Sequence, residues 1–101
     1  MNRITKPAWN EEFRLFEFRR ADGKGQLNET ETLTGSAIVC IEESTGSDVT
    51  LTLIEQAAVY NSTAVKYLLK GGTVGTIYRL EFRVETSNSQ KLSDVLVLEV
   101  V

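Results

Sequence analysis

The sequence predicts an all-β domain in which two antiparallel sheets, about seven strands in total, pack face to face. Three observations lead there. Polar and apolar residues alternate with period two along most of the chain; turn-forming clusters recur between those runs; and no segment shows the clear single apolar stripe of an amphipathic helix. Residues 1–12 are expected as an N-terminal arm, and residues 13–101 as the sandwich domain.

Taken in chain order, Phe13-Arg14-Leu15-Phe16-Glu17-Phe18-Arg19 alternates but slips phase between Leu15 and Phe16, as a bulge or a strand passing from one sheet to the other would require. Ala37 to Glu42 is apolar on both faces and reads as a central strand. Asp48 to Leu53 alternates again, with Val49, Leu51 and Leu53 expected inside and the threonines outside. Ala57 to Asn61 is short enough for an edge strand. Thr63 to Lys70 sets Val65, Tyr67 and Leu69 against Lys66, Leu68 and Lys70, and the Tyr, Thr and Val content of Val59 to Leu69 favours strand over helix there. The surest strand is Tyr78 to Glu85, where Tyr78, Leu80, Phe82 and Val84 face one way and Arg79, Glu81, Arg83 and Glu85 the other. In Leu92 to Val100, Asp94 and Glu99 mark the wet side, so Leu96, Leu98 and Val100 point inward while Val95 and Val97 point outward.

Turn residues separate these runs: Asp22-Gly23-Lys24-Gly25, Ser44-Thr45-Gly46-Ser47, Asn61-Ser62, Lys70-Gly71-Gly72-Thr73-Val74-Gly75 and Ser87-Asn88-Ser89-Gln90. The sequons at Asn28 and Asn61 read as turn chemistry too. A small closed barrel is the rival way to bury such strands. Tyr78 favours the sandwich, because a tyrosine opening the penultimate strand can form the hydroxyl-to-backbone corner found in immunoglobulin-like domains, although a plain core aromatic would also fit. The expected fold is therefore an immunoglobulin-like antiparallel β-sandwich.

Composition removes several functions. The net charge is -3, and the densest basic spot, Arg19 and Arg20 with Lys24 nearby, is interrupted by Asp22, so no nucleic-acid partner is expected. No apolar run reaches the ~20 residues that span a bilayer, and Met1 to Glu12 lacks the apolar core of a signal peptide, so no membrane partner is expected either. A lone cysteine, Cys40, closes no intrachain bridge and agrees with synthesis in a cytoplasm.

The chain has no histidine, the commonest general base and metal ligand. Cys40 lies between Val39 and Ile41, where a thiol stays protonated and packs as a small hydrophobe. In Glu11-Glu12 and Glu42-Glu43, strand neighbours point to opposite faces, which splits either pair as acid and base. Asp48 with Ser44 and Ser47 is better read as hairpin solvation than as a calcium loop, and Lys70-Gly71-Gly72-Thr73 lacks the spacing of a phosphate loop. No enzyme activity, catalytic residue, cofactor or metal is expected.

Protein contact remains. Trp9, flanked by Pro7, Asn10 and Glu11, is either an exposed contact residue or a cap folded back on the sandwich. The outward Leu68, Val95 and Val97 are the other candidates for a contact surface.

The stretch Tyr67-Leu68-Leu69-Lys70-Gly71-Gly72-Thr73-Val74-Gly75-Thr76-Ile77-Tyr78-Arg79-Leu80, with Val84-Glu85-Thr86-Ser87 and a closing apolar strand, resembles the C-terminal half of small phage and prophage virion proteins of the fibre-tail adaptor type. Phe16-Glu17-Phe18 and residues 29–37 fit the same layout, so the resemblance spans residues 13–101. It implies a non-enzymatic structural part of a tail, connector or fibre attachment, located in the virion or the bacterial host cytoplasm, with other virion proteins as partners and homo-oligomers possible. The alternative is an adhesion module that recognises carbohydrate or a surface protein through its loops. Those loops are short, Gly/Ser/Thr/Asn-rich and free of tryptophan, which argues against it.

Overall fold

A computed structural model describes residues 2–18, 26–28 and 30–101. Among these residues, seven strands follow in order: β1 Asn2–Lys6, β2 Glu12–Glu17, β3 Leu33–Glu42, β4 Ile54–Tyr60, β5 Ala64–Leu69, β6 Ile77–Thr86 and β7 Lys91–Val100; a single helical turn, α1 Thr50–Leu53, precedes β4. They form two separate sheets, β1-β7-β6-β3 and β2-β5-β4. The chain is a sandwich and not a barrel. Every pairing is antiparallel except that of β1, which runs parallel to β7.

With the strands lettered A to G in chain order, these are the C–F–G and B–E–D groupings of an immunoglobulin sandwich, the first strand added to the edge of the G strand. The segment expected as an arm thus contributes β1 at residues 2–6.

The inner faces are those the alternation points to. Tyr78, Leu80, Phe82 and Val84 of β6 and Leu96, Leu98 and Val100 of β7 are buried against Phe16 and Phe18 and against Val65, Tyr67 and Leu69 of β5. Each such side chain contributes about 1.5–3 kcal/mol by leaving water. Phe16 stacks on Phe82 with ring centres 4.3 Å apart, and Tyr67 tilts against the same ring at 5.3 Å. These rings join the second and sixth strands, which a disulfide links in antibody domains.

The Tyr78 hydroxyl accepts the backbone N–H of Thr73 at 3.1 Å, so the tyrosine closes a corner as well as filling the core. Gly72 makes that corner possible. Its φ is +95°, and a Cβ there would stand 2.7 Å from the Val100 side chain. At the opposite end, buried Glu31 accepts the Thr86 hydroxyl and, at 3.2 Å, the N–H of Asn28. The sequon at Asn61 is a turn, with Asn61 and Ser62 both at positive φ. That at Asn28 opens another, whose carbonyl accepts the N–H of Glu31 at 3.1 Å.

Three expectations are corrected. Asp48 to Leu53 is not a strand: only Asp48 makes a β-bridge, to Ile41, and α1 begins two residues later. Local chemistry decides this, because the Asp48 carboxylate accepts both the N–H and the hydroxyl of Thr50, at 3.0 and 2.7 Å, and folds the chain before it can extend. Leu53 still reaches the core, Val49 packs partly buried at its margin, and Leu51 is left 91% exposed.

The apparent slip between Leu15 and Phe16 is not a bulge either. Glu12 to Glu17 pairs with β5 in unbroken register, and the apolar run results from Phe13 and Leu15 occupying the outer face while Phe16 faces in.

Ala37 to Glu42, finally, belongs to an edge strand and not a central one. Its free edge is covered locally: the Glu42 N–H donates to the Ser47 carbonyl at 3.0 Å, the Val49 N–H to the Cys40 carbonyl at 2.8 Å, and the Cys40 N–H to the Thr50 hydroxyl at 2.8 Å. Of Ala57 to Asn61, the residues up to Tyr60 lie at an edge as expected, within the longer β4, and Asn61 begins the turn. The Asp22-Gly23-Lys24-Gly25 turn and the Arg19-Arg20 basic spot lie outside the described residues.

Candidate protein-contact surfaces

Trp9 sits on the turn between β1 and β2, where the Asn10 N–H donates to the Pro7 carbonyl at 3.1 Å. The turn is closed from beneath by Lys6, a fully buried side chain at the end of β1. Its ammonium donates to the carbonyls of Pro7 at 2.8 Å, Ala8 at 3.4 Å and Asn10 at 2.8 Å, so all three donors are used on one short loop. Burial lowers the Lys6 pKa below the usual lysine range, a shift opposed by the Glu12 carboxylate.

Glu12 is in turn paired with Arg14, whose guanidinium holds the carboxyl below its ordinary value and also donates to the Thr5 carbonyl at 3.1 Å. This network ties the loop to β1 and β2. The indole on top of it is 93% exposed, beside a hollow of about 490 Å³ formed with Ala8, Asn10, Glu11, Glu12 and Gly71. Trp9 does not fold back over the sandwich.

Leu68 lies on the outer face of β2-β5-β4, half-buried beside Phe13, its register partner on β2. Phe13, Leu15 and Tyr60 are more open than Leu68. Lys66 reaches over this surface, its ammonium 4.8 Å from the centre of the Phe13 ring and 5.3 Å from that of Tyr60, a cation–π arrangement that keeps a charge above the apolar patch. Phe13, Leu15 and Tyr60 escaped sequence reasoning because a strand with apolar residues on both faces has no visible outside. Glu17, which shares their face of β2, was the available signal for Phe13 and Leu15.

Val95 and Val97 lie on the outer face of the other sheet, half-buried, opposite Glu81 and Arg79 of β6. Across β6, Val39 and Ile41 of β3 flank the same two residues. The four candidates therefore do not converge: Val95 and Val97 share one face, Leu68 is on the opposite face, and Trp9 stands on the turn that joins β1 to β2.

The groups weighed for chemistry are dispersed. Cys40 is fully buried, and burial pushes its thiol up to about 12, with the Asp48 carboxylate adding to the shift. Glu42 accepts the Thr45 hydroxyl at 2.8 Å, a hairpin contact. Among the described residues, no three His, Cys, Asp or Glu side chains gather as a metal site would need.

Residues 19–99 match the family described as podophage GP4 fiber-tail adaptor protein gp77. The chain belongs to this fibre-tail adaptor family. No curated protein matches the chain. The family match takes in β3 to β6 and β7 up to residue 99, with Thr73 and Tyr78 of the corner, and starts after β2, so the Lys6–Trp9 turn lies outside it. A structural, tail-related role in the phage particle goes with that membership.

Proposed function

We propose that the adaptor is a non-enzymatic assembly part, made in the bacterial host cytoplasm, that joins virion proteins through direct protein contacts, with Trp9 as its main anchor. The observation that carries this reading is the pairing of a 93% exposed indole with a turn locked by a buried lysine. An exposed tryptophan costs solubility and adds nothing to the sandwich core. Held on a rigid loop, it loses little conformational entropy on docking, which is what an interface anchor needs. Leu68, Val95 and Val97 supply flanking contact surface on the two faces.

The test is incorporation. Phage particles produced with Trp9→Ala should lack the protein or lose their fibres, while the purified variant keeps the circular dichroism and stability of the wild type. Normal particles containing the variant at full occupancy would remove Trp9 from the assembly.

A further inference from the structure

The outer face of β1-β7-β6-β3 carries a charge sequence that is complementary to itself. Along β6, Arg79, Glu81, Arg83 and Glu85 point outward and alternate in sign. Register sets their neighbours on β3: Ile41 beside Arg79, Val39 beside Glu81, Ala37 beside Arg83 and Gly35 beside Glu85. On β7 the same order brings Val97, Val95, Ser93 and Lys91. One end of the face is flanked by bulky apolar side chains. The other is flanked by small or polar ones on β3 and β7, and a hollow of about 570 Å³ opens there over Gly35 and Ala37, bounded by Arg83, Glu85 and Ser93.

We propose that this face is the two-fold interface of a homodimer, with β6 lying antiparallel across β6 of a second copy of the chain. Rotation about an in-plane axis perpendicular to β6, passing between Glu81 and Arg83, sets Arg79 against Glu85 of the second copy and Glu81 against its Arg83. Every charge of the row meets its opposite. The same rotation lays Ile41 over Gly35, Val39 over Ala37, Val95 over Ser93 and Val97 over Lys91, so the bulky end of each copy meets the hollow of the other.

The alternative in-plane two-fold, along β6, would place Arg79 on Arg79 and Glu81 on Glu81, and like charges opposed across an interface are rejected. Charge order and side-chain size thus select the same axis independently. Isologous contacts of this kind are the commonest in homo-oligomers, and sheets stacked about 10 Å apart with strands within roughly 30° of alignment are an ordinary packing. In the single chain, Glu81 and Arg83 bond each other at 2.5 Å along the strand. In the dimer, that pair sits in a checkerboard of four charges from each copy.

This inference rests on the reading of Val95 and Val97 as contact residues and names their occupant. It is tested on the purified chain alone, so its failure is distinct from a failure of the assembly role, which the Trp9 variant probes in particles. Sedimentation equilibrium of the wild type should give twice the chain mass of 11.3 kDa. Glu81→Arg opposes two arginine pairs and Arg83→Glu two glutamate pairs, so each variant alone should sediment as a monomer. Mixed, the two variants should form a one-to-one heterodimer, because the introduced arginine of the first then faces the introduced glutamate of the second and all four pairs attract.

Gly35→Leu is a control independent of charge. A Cβ at Gly35 meets nothing within 4 Å in the chain itself, so the variant should fold, fill the hollow, exclude Ile41 and remain monomeric. If either charge variant fails to fold, Gly35→Leu decides. A wild type that stays at 11.3 kDa up to about 1 mM, a mixture that stays monomeric, or a Gly35→Leu variant that still dimerises would overturn the proposal.

Discussion

The ammonium of Lys6 donates to the carbonyl of Asn10 at 2.8 Å, across the turn on which Trp9 stands. A lysine at the end of an edge strand would ordinarily reach into solvent; here its charge is spent on organising the backbone around an exposed indole. Lys6→Met keeps the stem and removes the donors, leaving the carbonyls of Pro7, Ala8 and Asn10 without their shared partner. The expected cost is about 1–3 kcal/mol for the lost bonds to a charged donor, the Pro7 carbonyl keeping the Asn10 N–H. Because Trp9 is the chain's one tryptophan, its fluorescence anisotropy reports the turn directly, and it should fall in Lys6→Met well below the unfolding transition. An unchanged anisotropy would show that the turn is stiff without the lysine.

The bond from the Thr73 N–H to the Tyr78 hydroxyl makes a second prediction. Tyr78→Phe preserves the ring in the core and deletes the acceptor, so the glycine loop loses its fixed point. A loss of about 1–2 kcal/mol is expected, read as a lower urea midpoint at unchanged slope. Gly72→Ala should cost more, since its Cβ collides with Val100 and must also adopt positive φ.

Leu51 and Leu53 separate the strand expected from sequence from the helical turn the chain forms. A strand would bury both; α1 buries Leu53 and leaves Leu51 in water. Leu53→Ala should therefore cost about 2–5 kcal/mol and Leu51→Ala no more than about 0.5 kcal/mol, measured by thermal or urea unfolding. Equal losses would restore the strand.

The contrast between these two leucines also shows what period two can and cannot convey. In β6, where one face is charged at every position, the pattern identifies the buried set without error: Tyr78, Leu80, Phe82 and Val84 are all inside. In Asp48 to Leu53 the outward residues are threonines, which suit a strand but also accept and donate locally, and one carboxylate is enough to turn the chain. In β2 and β3 the pattern misleads for another reason. Apolar residues on both faces suggest a bulge in the one and a central position for the other, whereas Phe13, Leu15, Val39 and Ile41 lie on outer surfaces of the sandwich. Of the contact candidates, the outward direction of Leu68, Val95 and Val97 was legible from their charged neighbours. The buried Lys6 beneath Trp9 was not, because nothing in a lysine's sequence context announces that backbone carbonyls will close over it.

Asp48 gives the pH prediction. Its carboxylate is held below its ordinary pKa, first by the Thr50 N–H and then by the Thr50 hydroxyl, both of which favour the charged form. A group whose pKa is lower folded than unfolded contributes stability above its unfolded value, and loses that contribution as the pH falls through the folded one. Protonation would release Thr50, whose hydroxyl also accepts the Cys40 N–H, and so loosen α1 and the covered edge of β3 together. Asp48→Asn keeps an acceptor for the Thr50 N–H but cannot titrate. Wild-type stability should therefore fall more steeply than that of Asp48→Asn as the solution is acidified below the ordinary carboxylate range, with the two curves running parallel from neutral pH down to that range. Urea titrations at a series of pH values measure this, and identical acid limbs would show that the Asp48–Thr50 bonds do not couple proton binding to folding.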